Sequence, residues 1–195
     1  MKKYIALLRG INISGKNKIS MSELKKEFEI LGYEDVITYL NSGNVIFKTN
    51  KDDESTIVKT IHKMIEEKFN IDIPIYIIKA SQLKELLDNQ PEWWGTSNKE
   101  IYDNIIFIIP PTKYEDVYNT IGEPKKELEK IQEYKNNIFW SYDLKNYRKT
   151  NWWAKTASTS ISGSITIRTA NTMKKILELC YISYRGVEDE KGNFA

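Results

Sequence analysis

The chain has 195 residues, 41% of them hydrophobic and 29% charged, the balance of a folded globular protein and not of a disordered one. Lys and Arg number 29 against 27 Asp and Glu, so a formal charge of +2 supplies no long-range field that would gather a polyanion. One cysteine and one histidine exclude an internal disulfide and the usual His/Cys zinc clusters.

The length suits one large domain or two small lobes. MKKYIALLRG places two lysines before an apolar segment too short for a signal-peptide core, and reads as a strand. Ile5 to Leu8, apolar throughout, predicts a central strand covered on both faces. A polar loop rich in Gly and Asn follows, and Ser20-Met-Ser-Glu23 is a capping box that opens a helix. Met21, Leu24, Phe28 and Leu31 form its stripe, and Gly32 supplies a left-handed stop. Val36 to Leu40 and Val45 to Lys48 flank the turn residues Asn41-Ser-Gly-Asn44, a hairpin. Asp52 or Asp53 caps a second helix carrying Ile57, Ile61, Met64, Ile65 and Phe69, and Pro74 opens the strand Ile75 to Ile78. Strand, helix, strand, strand, helix, strand predicts a ferredoxin-like unit over residues 1–80.

Ser81 is expected to cap a linking helix with Leu83, Leu86 and Leu87, ended by Pro91-Glu-Trp-Trp-Gly95, within a linker over 81–101. The pattern then recurs. Ile105 to Ile109 is a strand, Thr112-Lys-Tyr-Glu115 is a second capping box, and Gly122 stops its helix. Leu128 to Tyr134 and Ile138 to Tyr142 flank an Asn136-Asn137 turn, although ELEKIQEY also fits a helix. Leu144, Tyr147, Asn151 and Ala154 predict a helix over 144–155, and a Ser/Thr/Gly segment over 156–164 leads to the strand Ile165 to Arg168. A last helix carries Met173, Ile176, Leu177 and Cys180, before a polar tail over 186–195. The expected architecture is α+β: two ferredoxin-like lobes in tandem, the second over 102–185.

In that topology the loop after the first strand and the hairpin between the second and third emerge at the same end of the sheet. Arg9, Asn12, Ser14, Lys16 and Asn17 are therefore expected to face Asn41, Ser42 and Asn44 across a small gap, with cationic, amide and hydroxyl donors suited to a phosphate or carboxylate. The plainer alternative is that Asn and Ser satisfy loop backbone while Gly10, Gly15 and Gly43 permit tight turns. Gly10-Ile-Asn-Ile-Ser-Gly15 has neither Walker nor dinucleotide spacing, so no cofactor is expected. His62 reads as a solvated helix residue, Cys180 as core, and each of Trp93-Trp94 and Trp152-Trp153 as one buried ring beside one surface ring. The leading expectation is a cytoplasmic protein that binds a small anion, a phosphate, nucleotide or phosphorylated metabolite. The alternatives are a transferase or hydrolase with Arg9 as charge stabiliser, or a nucleic-acid-binding module, for which NSGNVIF lacks the basic and aromatic spacing of an RNP1 strand. The apolar run from Ile105 to Ile109 is far short of the roughly 20 residues of a membrane span, so no membrane partner is expected.

LLRGIN at Leu7 to Asn12, GKNKI at Gly15 to Ile19, MSELKKEFEILGYEDV at Met21 to Val36 and YLNSGNVIF at Tyr39 to Phe47 together resemble the bacterial family catalogued as domain of unknown function 1697 (DUF1697). A second signature of that family, Thr-Thr-Arg-Asn-Trp-Asn-Thr, is matched at Thr166, Arg168, Asn171 and Thr172, while Ile167, Thr169 and Ala170 depart from it. The resemblance implies membership over essentially the whole chain and a two-lobed α+β fold, and it adds Arg168 to the candidate ligand-binding residues. It implies no activity.

Overall fold

Every side chain from Tyr4 to Leu8 is completely buried, because strand β1 (Lys2–Leu8) is central in its sheet and both faces of that sheet are covered. The computed structural model describes residues 1–13 and 15–182; Ser14 and the expected tail over 186–195 lie outside the described residues. Strand β1 pairs antiparallel with β3 (Asn44–Thr49) and β4 (Ile75–Lys79), and β2 (Glu34–Tyr39) flanks β3, giving the order β2-β3-β1-β4. The second sheet has the same order, with β6 (Glu129–Tyr134), β7 (Asn137–Asp143), β5 (Ile101–Ile108) and β8 (Ile165–Thr169) as β6-β7-β5-β8. Two four-stranded antiparallel sheets with helices make an α+β fold.

Alternation along the strands sorts the core into three layers. Tyr4, Ala6 and Leu8 face helices α1 (Met21–Ile30) and α2 (Glu54–Phe69), meeting Leu24, Phe28 and Ile61. Ile5, Leu7 and Ile46 point the other way and share one cluster with Ile105, Phe107 and Phe139 of the second sheet. Helices α3 (Ala80–Asp88) and α6 (Ala170–Tyr181) complete this middle layer with Leu83, Leu86, Met173 and Ile176. The far face of the second sheet, with Ile106, Ile108 and Trp140, packs on α4 (Tyr114–Ile121) and α5 (Asn151–Ser158).

Local chemistry explains most boundaries. Ser20 Oγ faces the Glu23 N–H at the start of α1, and Gly32 at φ +81 lets the Tyr33 N–H reach the Phe28 carbonyl while the two rings pack 5.8 Å apart. Asp53 caps α2 through the N–H groups of Ser55 and Thr56. Strand β5 begins four residues before the expected Ile105, and three other boundaries differ from expectation. Helix α3 starts before Ser81, because the Gln82 side chain accepts from the Lys79 N–H at 2.8 Å. Helix α4 starts one residue late, because Asp116, and not Glu115, accepts from the Lys113 N–H at 2.9 Å. The second hairpin turns at Lys135-Asn136, since the Asn136 Oδ1 accepts from the Tyr114 N–H and holds that residue at φ +61. Residues 129–134 are strand and not helix, because they pair along their length with β7. The helix expected over 144–155 is broken by Thr150, whose extended backbone separates a 3₁₀ turn at Tyr147–Lys149 from α5 and whose hydroxyl caps Trp153. The Ser/Thr/Gly segment is largely helical, as the end of α5 and a 3₁₀ turn at Ser160–Ser164. Trp94 and Trp152 are buried, while Trp153 is 40% exposed.

Tyr4, Tyr76 and Tyr142 have their phenols pushed up to about 12, chiefly by burial. A folded-state value above the ordinary 10.0 means that the neutral phenols stabilise the fold fully below pH 10, and that this contribution is lost as pH rises through 12. In an alkaline titration the exposed tyrosines ionise first with the circular dichroism unchanged, and the buried ones ionise only as the fold is lost. Ionisation of all 12 tyrosines together near pH 10 would contradict the burial argument.

Candidate functional site

The loop between β1 and α1 closes on itself. Gly10, Asn12, Gly15 and Asn17 all take positive φ, which bends the chain until the Asn12 N–H meets the Asn17 carbonyl at 3.0 Å and the Lys16 N–H meets that of Ile13 at 2.9 Å. The Asn17 side chain donates to the Gly10 carbonyl. Asn12 is fully engaged: its amide donates to the carbonyls of Ile19 and Asn41, at 3.0 and 2.9 Å, and its oxygen accepts from the Ile19 N–H. Loop and hairpin are therefore welded together, and the expected gap between them is closed. Gly43 seals the joint, its carbonyl accepting from the Leu8 N–H and its backbone lying so close that a Cβ would stand 2.8 Å from that of Leu8.

The open space lies on the other side of the loop, toward the second half of the chain. A cleft of about 590 Å³ is lined by Arg9, Lys16 and Asn17 on one wall, with Gly10 and Ile13, and by Thr156 and Ala157 of α5 and residues 165–168 of β8 on the other. No Asp or Glu lines it among the described residues.

Two arginines join the walls. Arg168 is buried, and all five of its N–H donors are used. Its Nε donates to Asn44 Oδ1 at 2.6 Å, Nη1 to Thr166 Oγ1 and the Ile167 carbonyl, both at 2.9 Å, and Nη2 to the carbonyls of Leu8 and Ser42 at 2.7 and 3.0 Å. Burial without a carboxylate pulls its pKa down to about 10. Asn44, fully buried, is aimed by its own donations to the Tyr39 carbonyl and Ser42 Oγ. Arg9 is only half-buried. Its Nε donates to the Ile165 carbonyl at 2.7 Å, and its two terminal nitrogens have no partner among the described residues. Burial lowers its pKa as well.

An equivalent joint exists on the opposite side, where the Tyr76 hydroxyl of β4 donates to Asn137 Oδ1 at 3.1 Å. Asn44 and Asn137 each open the third strand of their sheet, opposite Leu7 and Phe107. The crevice there holds only about 130 Å³, carries Glu54 and Glu85, and is bridged by the Lys135–Glu85 ion pair. Basic character belongs to one of the two crevices.

Of the residues expected at the site, Arg9, Lys16, Asn17 and Arg168 line the cleft, while Asn12, Ser42 and Asn44 serve internal hydrogen bonds and the Asn41 carbonyl accepts from the Asn12 side chain. Thr156, Ala157, Ile165 and Ile167 were not expected, and only the partial signature around Thr166 pointed to that stretch. His62 pairs with Asp72 at the surface. Cys180 is buried, with its thiol pushed up to about 11. Among the described residues no group of three His, Cys, Asp or Glu is arranged to hold a metal ion, and no helix is long and apolar enough to cross a membrane.

Fold and site together define a two-sheet α+β protein with a basic cleft between its halves. The chain belongs to the family described as "Protein of unknown function (DUF1697)", whose model matches residues 1–139. Among solved structures it is similar to the conserved bacterial protein SP0830 from Streptococcus pneumoniae, at 28% identity over 91% of this chain and 98% of that one, with a TM-score of 0.81. The first two RRM domains of the yeast poly(U) binding protein Pub1 align at 9% identity over 87% of this chain and 99% of that one, and a TM-score of 0.23 carries no argument. No curated protein matches the chain.

Proposed function

We propose that the cleft receives a small anionic ligand, a phosphate, nucleotide or phosphorylated metabolite. The observation that carries this reading is Arg9, a half-buried guanidinium with two open terminal nitrogens, next to Lys16 in a cleft without a carboxylate. Such a group has lost part of its hydration and has no counter-charge, and a phosphoryl group restores both through paired charge-assisted hydrogen bonds. Arg9, Lys16 and Asn17 contact the ligand, while Arg168, Asn12 and Asn44 hold the walls in place. The repeated element order and the repeated sheet order support a reading of the scaffold as two ferredoxin-like lobes over 1–80 and 102–185. A single buried cysteine and a bacterial relative support a bacterial, cytoplasmic setting.

A thermal-shift panel of inorganic phosphate, pyrophosphate and nucleoside mono- and triphosphates tests the proposal. A ligand at 100 times its Kd stabilises the native state by about 2.7 kcal/mol, which raises the midpoint by roughly 5 to 11 °C in a chain of this size. Lys16→Ala, at an exposed position, leaves the unliganded midpoint unchanged and weakens the shift, and Arg9→Ala abolishes it. Flat curves across the panel would remove the anion-binding reading.

A further inference from the structure

Strand β8 is an edge strand, and its outer edge runs along the cleft. The Ser164 carbonyl accepts from the Ile109 N–H at 2.8 Å, so residues 164, 166 and 168 turn their backbone groups toward β5, while Ile165 and Ile167 turn theirs outward. Both outward carbonyls are occupied: Arg9 Nε donates to that of Ile165 and Arg168 Nη1 to that of Ile167. The outward N–H groups of the same two residues meet no acceptor among the described residues. The edge therefore offers two open donors beside two carbonyls that already hold a guanidinium.

That asymmetry selects among ligands. A peptide adding to the sheet needs a donor and an acceptor at alternate positions, and the two guanidinium groups have taken the acceptors. The oxygens of an oxyanion need donors alone. Much of the remaining cleft lining is apolar, with Ile13, 59% exposed at the loop tip, and the exposed Ala157 among the lining residues. A space of about 590 Å³ falls within the range of roughly 300 to 1,000 Å³ that organic ligands occupy, well beyond what a bare oxyanion fills.

Resting on the anion-binding reading above, we infer that the ligand is a phosphate monoester with a compact apolar or aromatic body. Its phosphoryl oxygens accept from the outward N–H of Ile167 and from the terminal nitrogens of Arg9, with Lys16 at the rim. Its body covers Ile13 and Ala157. No bond of the ligand is made or broken in this proposal.

The test is a titration of the ¹⁵N-labelled full chain with phenyl phosphate, inorganic phosphate and a tetrapeptide ending in a free carboxylate. Phenyl phosphate is expected to move the amide resonances of Ile165 and Ile167 and to bind about tenfold more tightly than inorganic phosphate, the effect of covering roughly 60 Å² of apolar surface. Ile13→Ser should lower the affinity for phenyl phosphate more than that for inorganic phosphate and so shrink that preference. Equal affinity for the two phosphates, tighter binding of the tetrapeptide, or binding of phenyl phosphate with the two amide resonances unmoved would each overturn the inference and leave the anion site standing. No binding by any of the three would overturn both readings.

Discussion

Replacing Arg168 by Met lowers the unfolding free energy by about 3 to 5 kcal/mol and the thermal midpoint by roughly 6 to 20 °C. Met keeps the unbranched stem and volume along the strand but removes every donor. The carbonyls of Leu8 and Ser42 and the Asn44 side-chain oxygen then lose their partner inside the protein. Each orphaned buried acceptor costs about 1 to 3 kcal/mol. Part of that sum is offset, because the variant no longer buries a positive charge without a carboxylate, the burial that holds the Arg168 pKa near 10. Arg168→Lys keeps the charge but replaces a planar fork by one nitrogen with three donors, and so recovers only part of the loss. Urea unfolding of the three proteins measures the order arginine, lysine, methionine. A methionine variant within about 1 kcal/mol of the parent would show that the joint between the halves does not depend on this fork.

The second large effect is expected far from the cleft rim. The Glu129 carboxylate is 3% exposed and accepts from the N–H groups of Lys125, Asn151 and Trp152, at 3.1, 2.6 and 3.1 Å, and from Trp140 Nε1 at 3.3 Å. It ties β6 to the first turn of α5, where the helix dipole favours a negative charge. Glu129→Ala strands several buried donors at once and costs about 3 to 5 kcal/mol, whereas Glu129→Gln keeps the shape and costs about half as much. The far end of the same helix carries Thr156 and Ala157 into the cleft, so the alanine variant also weakens any ligand-dependent shift in proportion to the disorder of α5. Equal losses in the alanine and glutamine variants would deny the electrostatic part of the argument. Near-ultraviolet circular dichroism, which follows the buried Trp152 and Trp140, reads the packing directly.

The elements were legible wherever one short stretch carries its own instructions. Leu24 and Phe28, or Ile57, Ile61 and Ile65, repeat at helical spacing, and Asp53 and Gly32 mark ends by mechanisms that need no distant partner. Boundaries slipped where two adjacent residues were equally suited and a distant contact chose between them. Asn136 and Asn137 both tolerate a tight turn, and the choice is made by Asn136 bonding Tyr114 and Thr112, residues more than 20 positions away. The cleft was half legible. Arg9 and Lys16 announce themselves as cations in a polar loop, but the opposite wall lies 156 residues along the chain from Arg9, and stacking of one sheet on the other leaves no period in the sequence. Arg168 shows the same boundary from the other side. An arginine in a strand signals unusual chemistry, yet nothing near it says that its donors are spent on Leu8, Ser42 and Asn44.

The shared middle layer has a consequence for how the molecule is made. When the first half leaves the ribosome, α1 and α2 can finish one face of its sheet, but on the other face Ile5, Leu7 and Ile46 have only α3 to lie against until Ile105, Phe107 and Phe139 follow. That face is covered stepwise, and it closes fully only when α6 adds Met173 and Ile176. A fold whose pattern reads twice along the chain thus completes its shared face only late in synthesis, and its first half presents apolar surface until then.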